Sequence, residues 1–221
     1  MTHTTTDTTT DNRPQLRAAV GHTAKRLQET YFGSRGDREA AIARGILAQL
    51  RKNSSRPANE NPIGLQETLM VLSPHLSDSE LGRADSASPS EYAAYTALSL
   101  FARHMQSAKK PAHIEAQSFA QACGRLVALS DSNSVKPRFD AMQLAATEEA
   151  RAVHLRSLVD LLKARELGFD YGAFAGDLRA LSSPKNRNGV LLRWGREFSR
   201  GLSNAPKIDP NSNTTDTEKE I

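Results

Sequence analysis

The stretch 147–164, TEEARAVHLRSLVDLLKA, sets Leu155, Leu158, Val159 and Leu162 at the spacing i, i+3, i+4, i+7. In a helix of 3.6 residues per turn these four side chains share one face, whereas a strand would divide them between two. Thr147 stands where an N-cap belongs, Glu148 and Glu149 suit the positive end of the helix dipole, and Gly168 follows the end. The pattern predicts an amphipathic helix, and the rest of the chain repeats it.

Upstream, Leu16, Val20, Ala24, Leu27 and Tyr31 predict a first helix from Pro14 to Gly33 and Gly36. Asp37 then reads as the cap of a second helix, with Ile42, Ile46 and Leu50 on one stripe and Arg44, Ala48 and Arg51 opposite. A polar loop, NSSRPANENP, leads to a weaker helical segment around Leu65, Leu69 and Leu72. Ser88-Pro89-Ser90-Glu91 reads as a capping box before a helix carrying Ala94, Leu98, Phe101 and Met105. Further helices are expected from Ser118 (Phe119, Ala122, Leu126, Leu129) and near Pro137 (Phe139, Met142). Another follows Asp170 (Tyr171, Phe174, Leu178), and the last follows the break at Pro184. With few β-branched runs and no Asn-Gly hairpin between alternating segments, the expectation is all-α: a multi-helix bundle of about seven or eight helices.

The polar ends, residues 1–12 and 203–221, hold too little apolar surface to offset ordering entropy, so they are expected to be disordered around a helical domain at 13–202. One cysteine, Cys123, excludes an intrachain disulfide framework or a multi-cysteine zinc site. No signal-peptide pattern and no apolar run of about 18 residues occurs, so a cytoplasmic chain without a membrane partner is expected. The sequence holds no Gly-rich phosphate loop, HExxH, CxxC or Ser/Cys nucleophile signature, and its acids are scattered, so neither enzyme, metal nor cofactor chemistry is expected. His104, His154 and Cys123 read as helix-surface or core residues rather than ligands or nucleophiles.

The charge is more informative. There are 29 Lys+Arg against 25 Asp+Glu, and 20 of the cations are arginine, whose planar fork matches phosphate. In the terminal stretch, residues 187–200 (RNGVLLRWGREFSR), Leu191, Trp194, Phe198 and Leu202 share the inward face, while Arg193, Arg196 and Arg200 lie opposite. Gly195 weakens this helix, which a tight approach to a neighbouring helix would offset. Other basic stripes are Arg44, Arg51 and Lys52 on the second helix, Lys136 and Arg138 before and after Pro137, and Arg151, Arg156 and Lys163 on the Leu-rich one, where Asp160 is placed to pair with Arg156. Such faces suit either the phosphates of a nucleic acid or acidic protein surfaces met by a helical adaptor. With 5% aromatics, most at apolar-stripe positions, backbone contact is expected to outweigh base stacking.

In order along the chain, ILAQLRK, TALSLFARH, KPRF, RAVHLRSLVDLL, FDYGAFAGDL and LLRWGREFSR resemble the small subunit of the type I-E CRISPR Cascade effector complex, the CasB family, over about residues 36–200. The resemblance implies an all-α, non-catalytic subunit of an antiviral complex that helps hold the guide RNA–target DNA heteroduplex and the displaced strand of the R-loop. It implies as neighbours the CRISPR backbone subunits, the large subunit and a second copy of the chain. By position it points to Arg51, Lys52, Arg138, Arg156, Arg193 and Arg196; Arg44, Lys136 and Arg200 join them from the stripes. The family's Ser-Leu-Gly near Ser118 is replaced here by Ser118-Phe119-Ala120, so no contact is expected there, and the Thr-rich head and polar tail have no counterpart.

Overall fold

The computed structural model describes residues 15–130 and 134–204. Pro14 and the assignment of disorder to residues 1–12 and 205–221 lie outside them, whereas Ser203 and Asn204, expected in the disordered tail, are the end of the last helix and its cap. The described residues form nine α-helices and two 3-10 turns without a strand, an all-α bundle. The helices are α1 (Leu16–Tyr31), α2 (Asp37–Lys52), α3 (Pro62–Val71), α4 (Pro89–His104), α5 (Phe119–Ala128), α6 (Val135–Leu144), α7 (Glu148–Ala164), α8 (Tyr171–Leu181) and α9 (Pro184–Ser203).

The local signals that stop and start helices act as their chemistry dictates. Ser88 and Glu91 form a reciprocal capping box on α4, and the Thr147 and Asp170 side chains accept from the third amide of α7 and α8. Asp37 differs from expectation: it is the first helical residue of α2, and Gly36, at φ 94°, occupies the cap position with no side-chain bond. Pro137 sits in the first turn of α6 rather than at its start, a place where its missing N–H leaves no intrahelical bond unmade. The α1 terminus is capped from far away in sequence. The Glu80 carboxylate, 2% exposed, accepts from the Gln15 and Leu16 amides at 2.7 and 3.1 Å and also holds the Ser77 amide.

Helix α4 is the axis of the bundle. It is buried on nearly every side, from Ala93 through Ala102, because α1, α2, α3, α7 and α8 all pack on it. A second centre is aromatic: Phe119, Phe139, Phe169, Tyr171, Phe174 and Trp194 meet between α5, α6, α8 and α9 with ring centroids 4.2–6.4 Å apart.

Helices α5 and α9 approach more closely than side chains normally allow. A Cβ on Gly124 would overlap the Phe198 carbonyl and one on Gly201 the Gln121 carbonyl, so only glycine lets α5 and α9 touch at this crossing. Gly195, expected to serve such an approach, has open space around it. The α2 stripe also differs: Ala40, Ala43, Leu47 and Leu50 face inward and Ile42 is 55% exposed, because α2 turns its small residues to α1 and α4. Leu202, expected inward, is 45% exposed, and Gly201 takes its place at the contact. Leu129 is half-buried.

Candidate nucleic-acid interface

Helix α9 displays arginines because its other side is firmly held. Val190, Trp194, Phe198 and Gly201 are buried, Phe198 stacks on Phe139 with centroids 4.6 Å apart, and the Trp194 indole N–H donates to Asp177 Oδ2 at 2.7 Å. Burial raises the Asp177 carboxyl above its ordinary value, while Trp194 and Arg193 draw it back toward the ionised form. The tryptophan is therefore core, and no stacking platform.

The three outward arginines divide. Arg193 pairs with Asp177 and lies 3.8 Å from Glu197, so much of its charge is already answered. Arg196 and Arg200 are exposed, one turn apart, and have no hydrogen-bond or ion-pair partner among the described residues. Glu197, the one acid of the stretch, is turned toward Arg193. Gly195, Leu192 and Ser199 form a shallow notch beside Arg196 and Arg200, with Leu192 62% exposed. Lys136 of α6 does not join this face: it holds Asp140 at 2.6 Å and lies 5.8 Å over the ring of Phe198, a residue of the inward side of α9. Arg138, half-buried on the same helix, donates to the Ser134 carbonyl at 2.9 Å.

A second group forms where α2 ends. Arg156 of α7 donates to the Ser54 carbonyl at 3.0 Å, which brings it to the turn that follows Arg51 and Lys52. Lys52 is exposed and reaches Gln49, and Arg51 is half-buried with no side-chain partner among the described residues. Arg44 is exposed on α2 two turns before Arg51. Arg56, exposed in the following turn, belongs with this group but lies in a loop whose sequence has no periodicity to single it out.

Two charge assignments change. Asp160 does not pair with Arg156; both its oxygens are held by Arg103 of α4 at 2.7 Å, since α4 lies along that side of α7. Arg151 is 4% exposed and points inward, where it and Arg187 both donate to the Ala145 carbonyl at the end of α6. Burial and the nearby Arg187 lower its pKa.

No group of three or more His, Cys, Asp or Glu able to hold a metal occurs among the described residues, and no described helix is long and apolar enough to cross a membrane. Cys123 is fully buried, which pushes its thiol pKa up and keeps it protonated. His104, buried against Tyr171 at 3.0 Å, has its pKa lowered to about 4 by burial and by Lys163.

Residues 46–198 match the family model of CRISPR-associated protein Cse2. Among solved structures, CasB from Thermobifida fusca is similar at 25% identity with a TM-score of 0.65, covering 83% of this chain and 97% of that one. A Cse2-family CRISPR-associated protein from Thermus thermophilus is similar at 25% identity with a TM-score of 0.57, covering 82% and 96%. No curated protein matches the chain.

Proposed function

The chain belongs to the Cse2 family of CRISPR-associated proteins, and on that premise we propose that it is a non-catalytic, nucleic-acid-binding subunit of a type I-E CRISPR Cascade complex. Its work is to stabilise the guide RNA–target DNA heteroduplex and the displaced strand of the R-loop through backbone phosphates. The observation that supports this best is the pair Arg196 and Arg200, exposed on a helix whose opposite face is locked in the core and lacking acidic partners. A rigid mount matters because a fork held in place loses less entropy when it grips a phosphate. Arg44, Arg51, Lys52 and Arg156 add a second set of contacts, while Lys136, Arg138 and Arg193 support them from positions already tied to protein groups. Exchanging a DNA duplex for a heteroduplex is close to balanced, so a few such contacts tip it, and the sequence is read by the guide. Backbone subunits, the large subunit and a second copy of the chain are the neighbours in this reading.

The exposed Leu192 beside these arginines favours a second reading for the same face, docking onto an acidic protein surface. Salt dependence distinguishes the two. With about four phosphates gripped, the log of the single-strand binding constant falls with log salt at a slope of roughly −3, about −0.7 per phosphate. A complex containing the Arg196→Ala/Arg200→Ala chain should retain target DNA less well than wild type at equal assembly. Retention and slope identical to wild type would refute the nucleic-acid reading of α9.

A further inference from the structure

The seam between α4 and α7 carries features that the α9 face does not share. The two helices run parallel. Near their N-termini Tyr92, Thr96 and Ser99 of α4 face Glu149, Ala152 and Arg156 of α7. Toward their C-terminal ends Arg103 clamps Asp160, and just past it His104 and Ser107 line a cavity with Lys163 and Arg165. Each end of the seam opens into a cavity.

The first cavity, of about 160 Å³, is lined by aromatic, hydroxyl and charged groups together, and its rim includes Val153, 54% exposed. A cavity on the order of 150 Å³ holds one benzene-sized ring. Arg56 and Arg156 are among its lining residues, Arg156 donating to the Ser54 carbonyl. The second cavity, of about 290 Å³, gathers Lys109, Lys110, Lys163 and Arg165 against a single carboxylate, Glu166, which Lys110 holds at 2.8 Å. Lys109, Lys163 and Arg165 have no ion-pair partner among the described residues. The dipole of α7 favours cations at Lys163 and Arg165, but its effect fades within a turn. Lys109 and Lys110 lie past the end of α4, beyond the reach of that helix's dipole.

We propose that this seam is a track for one extended single strand of nucleic acid, its phosphates held at the Lys109–Lys163–Arg165 end and an unstacked base seated in the Tyr92–Ser99–Arg156 cavity. The inference rests on the nucleic-acid reading above and narrows it to a strand and a path. Arg156 and Lys163 are seven residues apart on α7, about 10 Å along the helix, so one strand must run lengthwise to engage both ends. A base can enter a recess of this size only if it is unpaired, and a mixed apolar and polar lining accepts any base by its face while leaving sequence unread. The Arg103–Asp160 clamp keeps the two helices at fixed spacing beneath the strand.

The test is single-strand binding by the full chain. Lys109→Ala/Arg165→Ala removes two exposed cations that make no folding contact, and the log–log salt slope should become shallower by roughly 1.4, with affinity on the order of tenfold lower. A strand carrying 5-iodouracil should cross-link on irradiation to the segment containing Tyr92, and Ala152→Phe, which fills the recess, should abolish that cross-link while helicity is unchanged. An unaltered slope, or cross-links confined to α9, overturns the track. The Arg196→Ala/Arg200→Ala chain serves as control: if it loses binding and the seam variant does not, only the track falls, and if neither variant changes binding, the nucleic-acid reading falls with it.

Discussion

Gly195 and Gly201 lie less than two turns apart on α9 and mark its two sides. At Gly201 a single added carbon would strike the Gln121 carbonyl, whereas at Gly195 it would meet nothing. The inner side is defined by backbone contact with α5, aromatic packing and the Trp194–Asp177 bond. The outer side is defined by open space, Arg196 and Arg200. One helix thus carries a face where every atom is constrained and a face left available to a partner. The first is what fixes the orientation of the second.

Substitutions that treat the two sides alike should have unlike effects. The largest is expected on the inner side: Gly201→Leu must force α5 and α9 apart, costing about 4 kcal/mol or more, read from the midpoint of denaturant unfolding. Near-normal stability there would mean that the helices do not touch through their backbones. His104 extends the comparison to the core around α4. Its pKa is about 4 in the folded protein against 6.5 unfolded, so the imidazole stays neutral in the fold and unfolding takes up a proton at mildly acidic pH. Its contribution is fully present above pH 6.5, fades as pH falls, and is lost by about pH 4, a swing on the order of 3 kcal/mol. The stability difference between wild type and His104→Gln should follow that window, and a pH-independent difference would show that the imidazole does not titrate this way.

On the outer side the effects move from stability to binding. Arg196→Ala/Arg200→Ala should leave unfolding within about 0.5 kcal/mol of wild type while making the salt dependence of single-strand binding shallower. Arg193 lies between the two behaviours. Arg193→Ala leaves Asp177 with the indole as its remaining partner and should cost about 1 kcal/mol of stability, a modest figure because the pair is half exposed to solvent. Equal effects of Arg193→Ala and Arg196→Ala on folding would erase the distinction drawn between them. One change is of opposite sign: Gly195→Ala meets no neighbour and should stabilise α9 by about 0.5–1 kcal/mol, seen as a raised Tm.

Much of this was legible before folding. The apolar stripe of α7, the capping box at Ser88 and the caps at Thr147 and Asp170 depend on neighbours within four residues, so the sequence contains their whole cause. The separation of Trp194 and Phe198 from Arg196 and Arg200 is equally a matter of helical period. Pairing was not legible. Asp160 had Arg156 one turn away, yet Arg103, 57 residues earlier in the chain, holds it with two bonds. Arg151 looked like a member of a charged stripe and is buried beside Arg187 at the end of α6.

The sequence by itself determined an all-α chain, where most of its helices begin, which cations stand on outward faces of α9, and a family likeness carried by short motifs in order. Only the tertiary structure decided that Glu80 caps α1, that Gly201 rather than Gly195 meets α5, that α4 runs through the centre, and that Lys109, Lys110, Lys163 and Arg165 converge on one cavity. Caps and stripes are set by local geometry, whose range is a turn or two of helix. Close backbone approaches and the partners of charges depend on which distant helices share a surface, and that is fixed only when the whole bundle packs.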